Sequence, residues 1–318
     1  MYQYKQTLIQ ILIIFIFLNI LMFIIVLFNS YRHVFITQEA SQIYYWLNIK
    51  KNYAISTNNP KIIFLSGSNG MFGIRTDIIE KEIKRKVVNY CTHAGLGNYI
   101  FENVKEILQE NDIIILPLEY NYYSSKKLGQ KPIKASTEYE YIIGFDYKQF
   151  LKLSFIEKLR TVSYFMFNLY KFKKSDLSKI EENSYSKLNK NGDNISYRLL
   201  NDVYSNKNSY LSEIKDEYNE EDTNGELKLF LQWCYLRHIK VYAIAPNINH
   251  QKETSLNEQK FFQHIQNFYK QNNVEFLGNF EDGFFKTDEM FDTSYHLNTK
   301  GQNKRTQYLI KLIKQKCL

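Results

Sequence analysis

Residues 7 to 28, TLIQILIIFIFLNILMFIIVLF, form a 22-residue run with no charge, in which only Thr7, Gln10 and Asn19 are polar. About 20 such residues cross a bilayer as a helix, so this run decides first where the rest of the chain can fold. A cleavable export signal has a shorter apolar stretch and a small-residue cleavage site. The following NSYRHVFITQEAS offers no small-x-small site. The run therefore reads as an uncleaved single-pass anchor behind a short tail, residues 1–6. Lys5 on one side and Arg32 on the other leave the positive-inside count nearly tied. The short tail favours a body exported to the periplasmic or extracytoplasmic side. A cytoplasmic body is the other orientation, and three unpaired cysteines would suit it.

The remaining 290 residues, 29–318, are enough to bury a sizeable core. The formal charge of +8 suits an anionic partner such as a membrane surface or an acidic glycan. The charge is spread along the chain, and no nucleic-acid motif or basic stripe accompanies it. KEIKRK at 81–86 reads as a solvated helix end. Cys91, Cys234 and Cys317 lie too far apart for a zinc spacing and are odd in number, which excludes a closed disulfide framework. The six histidines are scattered. Neither metal nor organic cofactor is expected.

Past a polar linker at 29–60, strand and helix patterns alternate. KIIFLS (61–66), KVVNYC (86–91), DIIILPLEY (112–120), IKVYAIAP (239–246) and VEFLG (274–278) read as buried strands. Between and after them, 98–111, 225–238, 257–272 and 299–316 carry helical periodicity. Continuous apolar strands alternating with amphipathic helices predict an α/β fold, a parallel sheet covered by helices on both faces. The alternation lapses between about 121 and 224, which predicts an inserted helical cap with a mobile segment near 175–208. The apolar run 150–172 raises a second membrane helix, but Lys152, Glu157, Lys158 and Arg160 make burial in lipid expensive. Packing on the body or lying at the membrane surface fits it better.

Two stretches carry chemistry. SGSNG (66–70) follows the first strand, at the sheet edge where open α/β folds bind ligands. It presents Ser68 between glycines. MFDTSYHLNTKG (290–301) supplies Asp292 and His296 before the last helix. Acyl transfer needs an activated hydroxyl, an imidazole base oriented by a carboxylate, and donors for the oxyanion. Ser68, His296 and Asp292 answer the first three needs. The Ser68 amide and the HAGLG turn (93–97) are candidates for the last.

These blocks resemble the SGNH or GDSL-like hydrolases. The resemblance rests on SGSNGMFGI, VVNYCTHAGLGN and FDTSYHLNTKG, and covers roughly 61–120 and 239–318. It implies a three-layer flavodoxin-like domain over 61–318. Ser68 would be nucleophile, His296 base and Asp292 its partner. Gly95 would be an oxyanion donor, with Gly97 its rival. By their own places at the strand ends, Asn69, Glu119 and Asn247 are candidates for the oxyanion or substrate region, with Glu119 otherwise structuring its loop and Asn247 shaping its turn. The match is nearest in character to membrane-anchored members tied to cell-surface polymer acylation, which work beside membrane-bound O-acyltransferases. That implies an esterase or O-acyltransferase, with acetyl the expected acyl group, acting on a cell-envelope glycan. Two departures stand out. The acid and base are spaced Asp-x-x-x-His rather than Asp-x-x-His. PLEYNYY replaces the block that normally carries an asparagine, and Asn121 has no clear counterpart there. A catalytically weak or inactive accessory protein that binds glycan in an export or modification complex is therefore the alternative.

Plainer readings compete at each position. Ser68 suits a turn for local hydrogen-bonding reasons alone. His296 could pack over the last helix, with Asn298 or Thr299 its cap. Ser66 is a rival nucleophile nearer the strand. Cys91 with His93 is a thiol–imidazole couple on paper, though a small buried thiol is the default. Tyr122 and Tyr123 belong to the core or stack on a sugar.

Overall fold

A computed structural model describes residues 2–123, 134–175, 187–195 and 225–317 of the chain. Contacts divide it into two units: 1–44 with 135–181, and 45–134 with 182–318.

In the first unit, helix α1 (Tyr2–Arg32) contains the apolar run, and over Tyr4–Arg32 it is long and apolar enough to cross a membrane. Where the apolar run ends, polar side chains take over. Asn29 Nδ2 donates to the Ile143 carbonyl at 2.9 Å and Ser30 Oγ to that of Ile142 at 2.6 Å. Both acceptors lie near the end of α6 (Lys134–Phe145). The short helix α7 (Tyr147–Lys152) and then α8 (Phe155–Phe167) follow. Ser154 separates α7 from α8 by capping the latter, its Oγ accepting the Glu157 amide. Buried Glu140 accepts from Thr37 Oγ1 at 2.8 Å and from Tyr164 OH at 2.6 Å, joining the chain on both sides of α6. The helical part of the expected insertion thus groups with the N-terminal helix.

The stretch expected as a linker is instead mostly helix α2 (Gln38–Ile55), and the boundary between the units falls inside it. Its Trp46, Leu47 and Ala54 are buried with Lys50. The Lys50 ammonium donates to the carbonyls of Asn89, Cys91 and Gly192 at 2.6–2.8 Å, and burial pulls its pKa down to about 8.

The second unit holds a five-stranded parallel sheet. Its strands are β1 (Ile62–Phe64), β2 (Val87–Asn89), β3 (Ile113–Leu116), β4 (Lys240–Ala243) and β5 (Glu275–Phe276). Their spatial order is β2-β1-β3-β4-β5, all neighbours parallel, with Ile63 opposite both Val88 and Ile114. All three residues are fully buried, as strands covered on both faces must be. Right-handed crossovers place the helix between β1 and β2 on one face, and those entering β3, β4 and β5 on the other. The contacts agree: α11 (Thr299–Lys316) packs on α3 (Ser68–Gly73) and α4 (Thr76–Ile83), whereas α5 (Tyr99–Val104) packs on α9 (Gly225–Tyr235). Helix α10 (Leu256–Gln271) opens on a Ser255/Glu258 capping box.

With this order the connections leaving β1 and β3 diverge, which opens a crevice at their carboxyl ends. At the opposite ends of the same strands, the buried Lys61 ammonium meets Asp112 at 2.8 Å, and Asp112 also accepts the Lys61 and Gln109 amides.

Residues 187–195, expected within a mobile segment, are pinned. Asp193 is fully buried and accepts from the Thr76 amide and hydroxyl, the Asp77 amide and Asn89 Nδ2. Asn191 lies alongside the edge strand β2: its carbonyl accepts the Asn89 amide at 2.8 Å and its Nδ2 donates to the Val87 carbonyl. The rest of that segment, 176–186 and 196–208, lies outside the described residues, as does the inserted stretch at 124–133 and 209–224.

Candidate active site

The turn after β1, the chain after β3, the chain after β4 and the loop before α11 meet at the carboxyl ends of the sheet. The glycines around Ser68 are there for space. A methyl on Gly67 would lie 2.3 Å from Glu119 Oε1, and one on Gly73 would lie 2.0 Å from Asn247 Nδ2. Neither separation is tolerated between nonbonded atoms, so two polar side chains approach this backbone only because the glycines are bare.

Glu119, almost fully buried, uses the room at Gly67. Its carboxylate accepts the amides of Gly67 at 3.0 Å and Asn69 at 3.2 Å, one on each side of Ser68. Asn69 closes the same link with its side chain, donating from Nδ2 to the Pro117 carbonyl at 2.8 Å. The turn after β1 is thereby tied to the end of β3 at three points. Asn247 uses the room at Gly73. Its Nδ2 donates to the Asn69 carbonyl at 2.8 Å and reaches the Tyr295 carbonyl at 3.4 Å. One carboxamide thus spans the serine turn and the residue beside His296.

The loop carrying the imidazole is closed at its base by an antiparallel bridge between Met290 and Leu297, with the Phe291 amide donating to His296 O at 2.8 Å. Inside it, Thr293 Oγ1 accepts the amides of Tyr295 and His296. The Ser294 carbonyl accepts the Asn249 amide at 2.8 Å, anchoring the loop to the extended segment after β4. This folding brings Asp292 and His296 together across the four-residue spacing: Oδ1 lies 2.7 Å from Nδ1. A carboxylate there holds the ring with Nε2 available to a substrate or a hydroxyl.

Ser68 is the first residue of α3 and Phe72 lies one turn further on the same face. The Phe72 ring stacks on the His296 imidazole with centroids 4.2 Å apart. His296 thus packs on α3 through Phe72, one turn beyond Ser68. Among the described residues no hydrogen bond joins Ser68 Oγ to that ring. Such bonds commonly tighten only when substrate is bound. Phe72 is the contact that sequence reasoning missed; its spacing of four from Ser68 was the available signal.

Several expectations give way. The Gly95 amide donates to His93 Nδ1 at 3.0 Å and the Gly97 amide to the Ala94 carbonyl at 3.1 Å, so both glycines spend their N–H groups inside their own turn. His93 is thereby engaged away from Cys91, whose thiol burial pushes up to about 12. A thiolate–imidazole couple has no basis there. Ser66 is fully buried, its Oγ bonded to the Gly67 carbonyl at 3.2 Å, whereas Ser68 is half-buried. Tyr122 and Tyr123 are core residues, the first donating to the Gly97 carbonyl. Asn298 caps α11 through the Gly301 amide. Among the described residues no group of three His, Cys, Asp or Glu side chains gathers to hold a metal.

No protein-family model matches this chain, and no curated protein does. Among solved structures, it is similar to a protein from Streptococcus pneumonia provisionally described as a platelet activating factor. The TM-score is 0.41 at 11% identity, over 86% of this chain and 92% of that one. It is also similar to a provisionally described acylhydrolase from Bacteroides fragilis, with TM-score 0.37 at 9% identity, over 82% and 87%.

Proposed function

We propose that this chain is a membrane-anchored serine esterase or O-acyltransferase of the SGNH type. The observation that carries the reading is the Asp292–His296 hydrogen bond, 2.7 Å long, on a loop whose imidazole stacks on Phe72 of the helix that Ser68 begins. His296 Nε2 takes the Ser68 hydroxyl proton as Oγ attacks the ester carbonyl carbon. The tetrahedral oxyanion collapses, and the leaving alcohol departs with that proton. Water or a sugar hydroxyl then gives a proton to His296 and attacks the acyl-serine; the second tetrahedral intermediate collapses as His296 returns the proton to Ser68 Oγ, releasing acid or a new ester. Asp292 holds the imidazole in the required tautomer throughout. The Ser68 amide, at the start of α3, is the natural first donor to the oxyanion. An anchored enzyme with a basic body fits an O-acetylated glycan at the cell envelope, supplied by a membrane-bound O-acyltransferase, with the α/β unit on the extracytoplasmic side.

Glu119 favours a second reading. A carboxylate bonded to both amides flanking Ser68 adds negative charge beside a developing oxyanion, and the Gly95 amide is already engaged. A non-catalytic glycan-binding accessory of the same fold would tolerate both. A fluorophosphonate probe separates the two. The esterase reading predicts labelling of the wild type that vanishes in Ser68→Ala; equal labelling of both proteins would leave the accessory reading. Turnover of p-nitrophenyl acetate with and without a sugar acceptor then distinguishes hydrolysis from transfer.

A further inference from the structure

Helix α8 leaves a stripe of large apolar side chains uncovered, and it does so beside the membrane helix. Phe155, Ile156, Leu159, Met166 and Phe167 are exposed, Phe155 by 74% and Phe167 by 82%, and Tyr170 one turn on by 77%. The spacing of the five within α8 places them on one side of the helix, away from buried Thr161 and Phe165. Isolated apolar residues at a surface need no explanation, but a continuous stripe of this length does.

What covers it follows from where the helix is held. Both α7 and α8 pack on α1, and the Phe150 ring meets Phe23 at 5.0 Å. Phe23 lies five residues before the apolar run ends at Phe28, which at about 1.5 Å per residue is on the order of 8 Å inside its boundary. Just beyond that boundary, Asn29 and Ser30 are buried and bonded to backbone carbonyls. From Tyr4 to Ile20, the described side chains of α1 are almost wholly bare. The α7–α8 pair therefore sits at the depth of the headgroup and upper acyl region, where interfacial helices lie about 5–10 Å into the layer. The charge agrees: from Tyr147 to Lys174 the chain carries Lys148, Lys152, Lys158, Arg160, Lys171, Lys173 and Lys174 against a single acid, Glu157. Five of these bases (Lys148, Lys152, Arg160, Lys173 and Lys174) are exposed.

The geometry points to α8 as an interfacial membrane helix, its Phe155–Phe167 stripe seated in the acyl boundary of an anionic leaflet beside the span of α1. It holds the first unit flat on the bilayer, where a single crossing helix alone would let it swing.

The full chain in vesicles of phosphatidylcholine and phosphatidylglycerol tests this with tryptophan reporters read against the wild type. Phe167→Trp and, independently, Phe155→Trp report the stripe; Phe17→Trp reports the span of α1. The stripe reporters should lose most of their added emission to lipid brominated near the headgroup, and Phe17→Trp to lipid brominated near the chain end. Stripe reporters quenched by aqueous acrylamide and untouched by bromolipid would overturn the proposal while the anchor stood. Deep quenching of the stripe would also overturn it, in favour of a second crossing helix. Loss of deep quenching at Phe17→Trp would remove the anchor and this inference together, leaving the serine chemistry unaffected.

Discussion

Glu119 accepts the amide of Gly67 at 3.0 Å, in a space that only a glycine leaves open. That bond fixes the serine turn to the end of β3, so the turn's position depends on a missing side chain as much as on any present one. Gly67→Ala puts a methyl 2.3 Å from Glu119 Oε1 and 2.8 Å from Ala94 Cβ. Overpacking of this kind costs about 1–3 kcal/mol. We expect a lowered midpoint in denaturant and slower fluorophosphonate labelling. Glu119→Asp, which withdraws the carboxylate, should restore part of both in the double variant.

Asn247 is expected to act on the rate more than on the fold. Removing its carboxamide frees the Asn69 carbonyl from the loop of His296. A misplacement of about 1 Å between reacting groups can lower a rate on the order of a hundredfold. Asn247→Ala should therefore show a fall of about that size in kcat for p-nitrophenyl acetate, with KM and circular dichroism near those of the wild type.

Lys50 makes stability depend on pH in an unusual direction. Its folded pKa is about 8 against 10.5 for the free side chain, because burial disfavours the ammonium. Below pH 8 both folded and unfolded chains hold the proton, and the full desolvation penalty weakens the fold. Between pH 8 and 10.5 the unfolded chain holds a proton the folded chain has released, so stability rises with pH. Lys50→Met lacks this term while sharing the titration of the other groups. Denaturant unfolding should show the wild type gaining on the variant across that window.

The buried pair at the far end of β1 and β3 bears on stability. Asp112→Ala strands the Lys61 ammonium in the core and removes the acceptor of two amides. Breaking such a pair costs roughly 3–5 kcal/mol. Adding Lys61→Met removes the stranded charge and should recover part of the loss, measured as chemical denaturation of the two variants.

The sheet was legible because strands buried on both faces read as apolar runs: Ile62–Phe64 and Ile113–Leu116 could scarcely be anything else. The Asp292–His296 partnership was legible as residue types but not as geometry. Whether a spacing of four brings the two together depends on the Met290–Leu297 bridge and on Thr293 folding the loop. Helix α2 has the composition of a linker because its buried face includes Lys50, whose partners are three carbonyls distant in sequence. The same blindness affected Asn191 and Asp193. Asn, Asp and Gly signal a turn, yet these side chains are buried hydrogen-bonding partners of the backbone near Thr76 and Val87. Local composition reports a residue's own preference, whereas the partners that override it lie a hundred positions away.

One measurement bears on the proposed chemistry most directly: the rate of fluorophosphonate labelling of the full chain, followed by mass spectrometry of the modified residue. A phosphonyl group on Ser68, with a labelling rate lowered on the order of 10⁴-fold in Asp292→Asn because the imidazole loses its tautomer, is the predicted result. Labelling at another residue, or a rate indifferent to both Asp292 and His296, would contradict it.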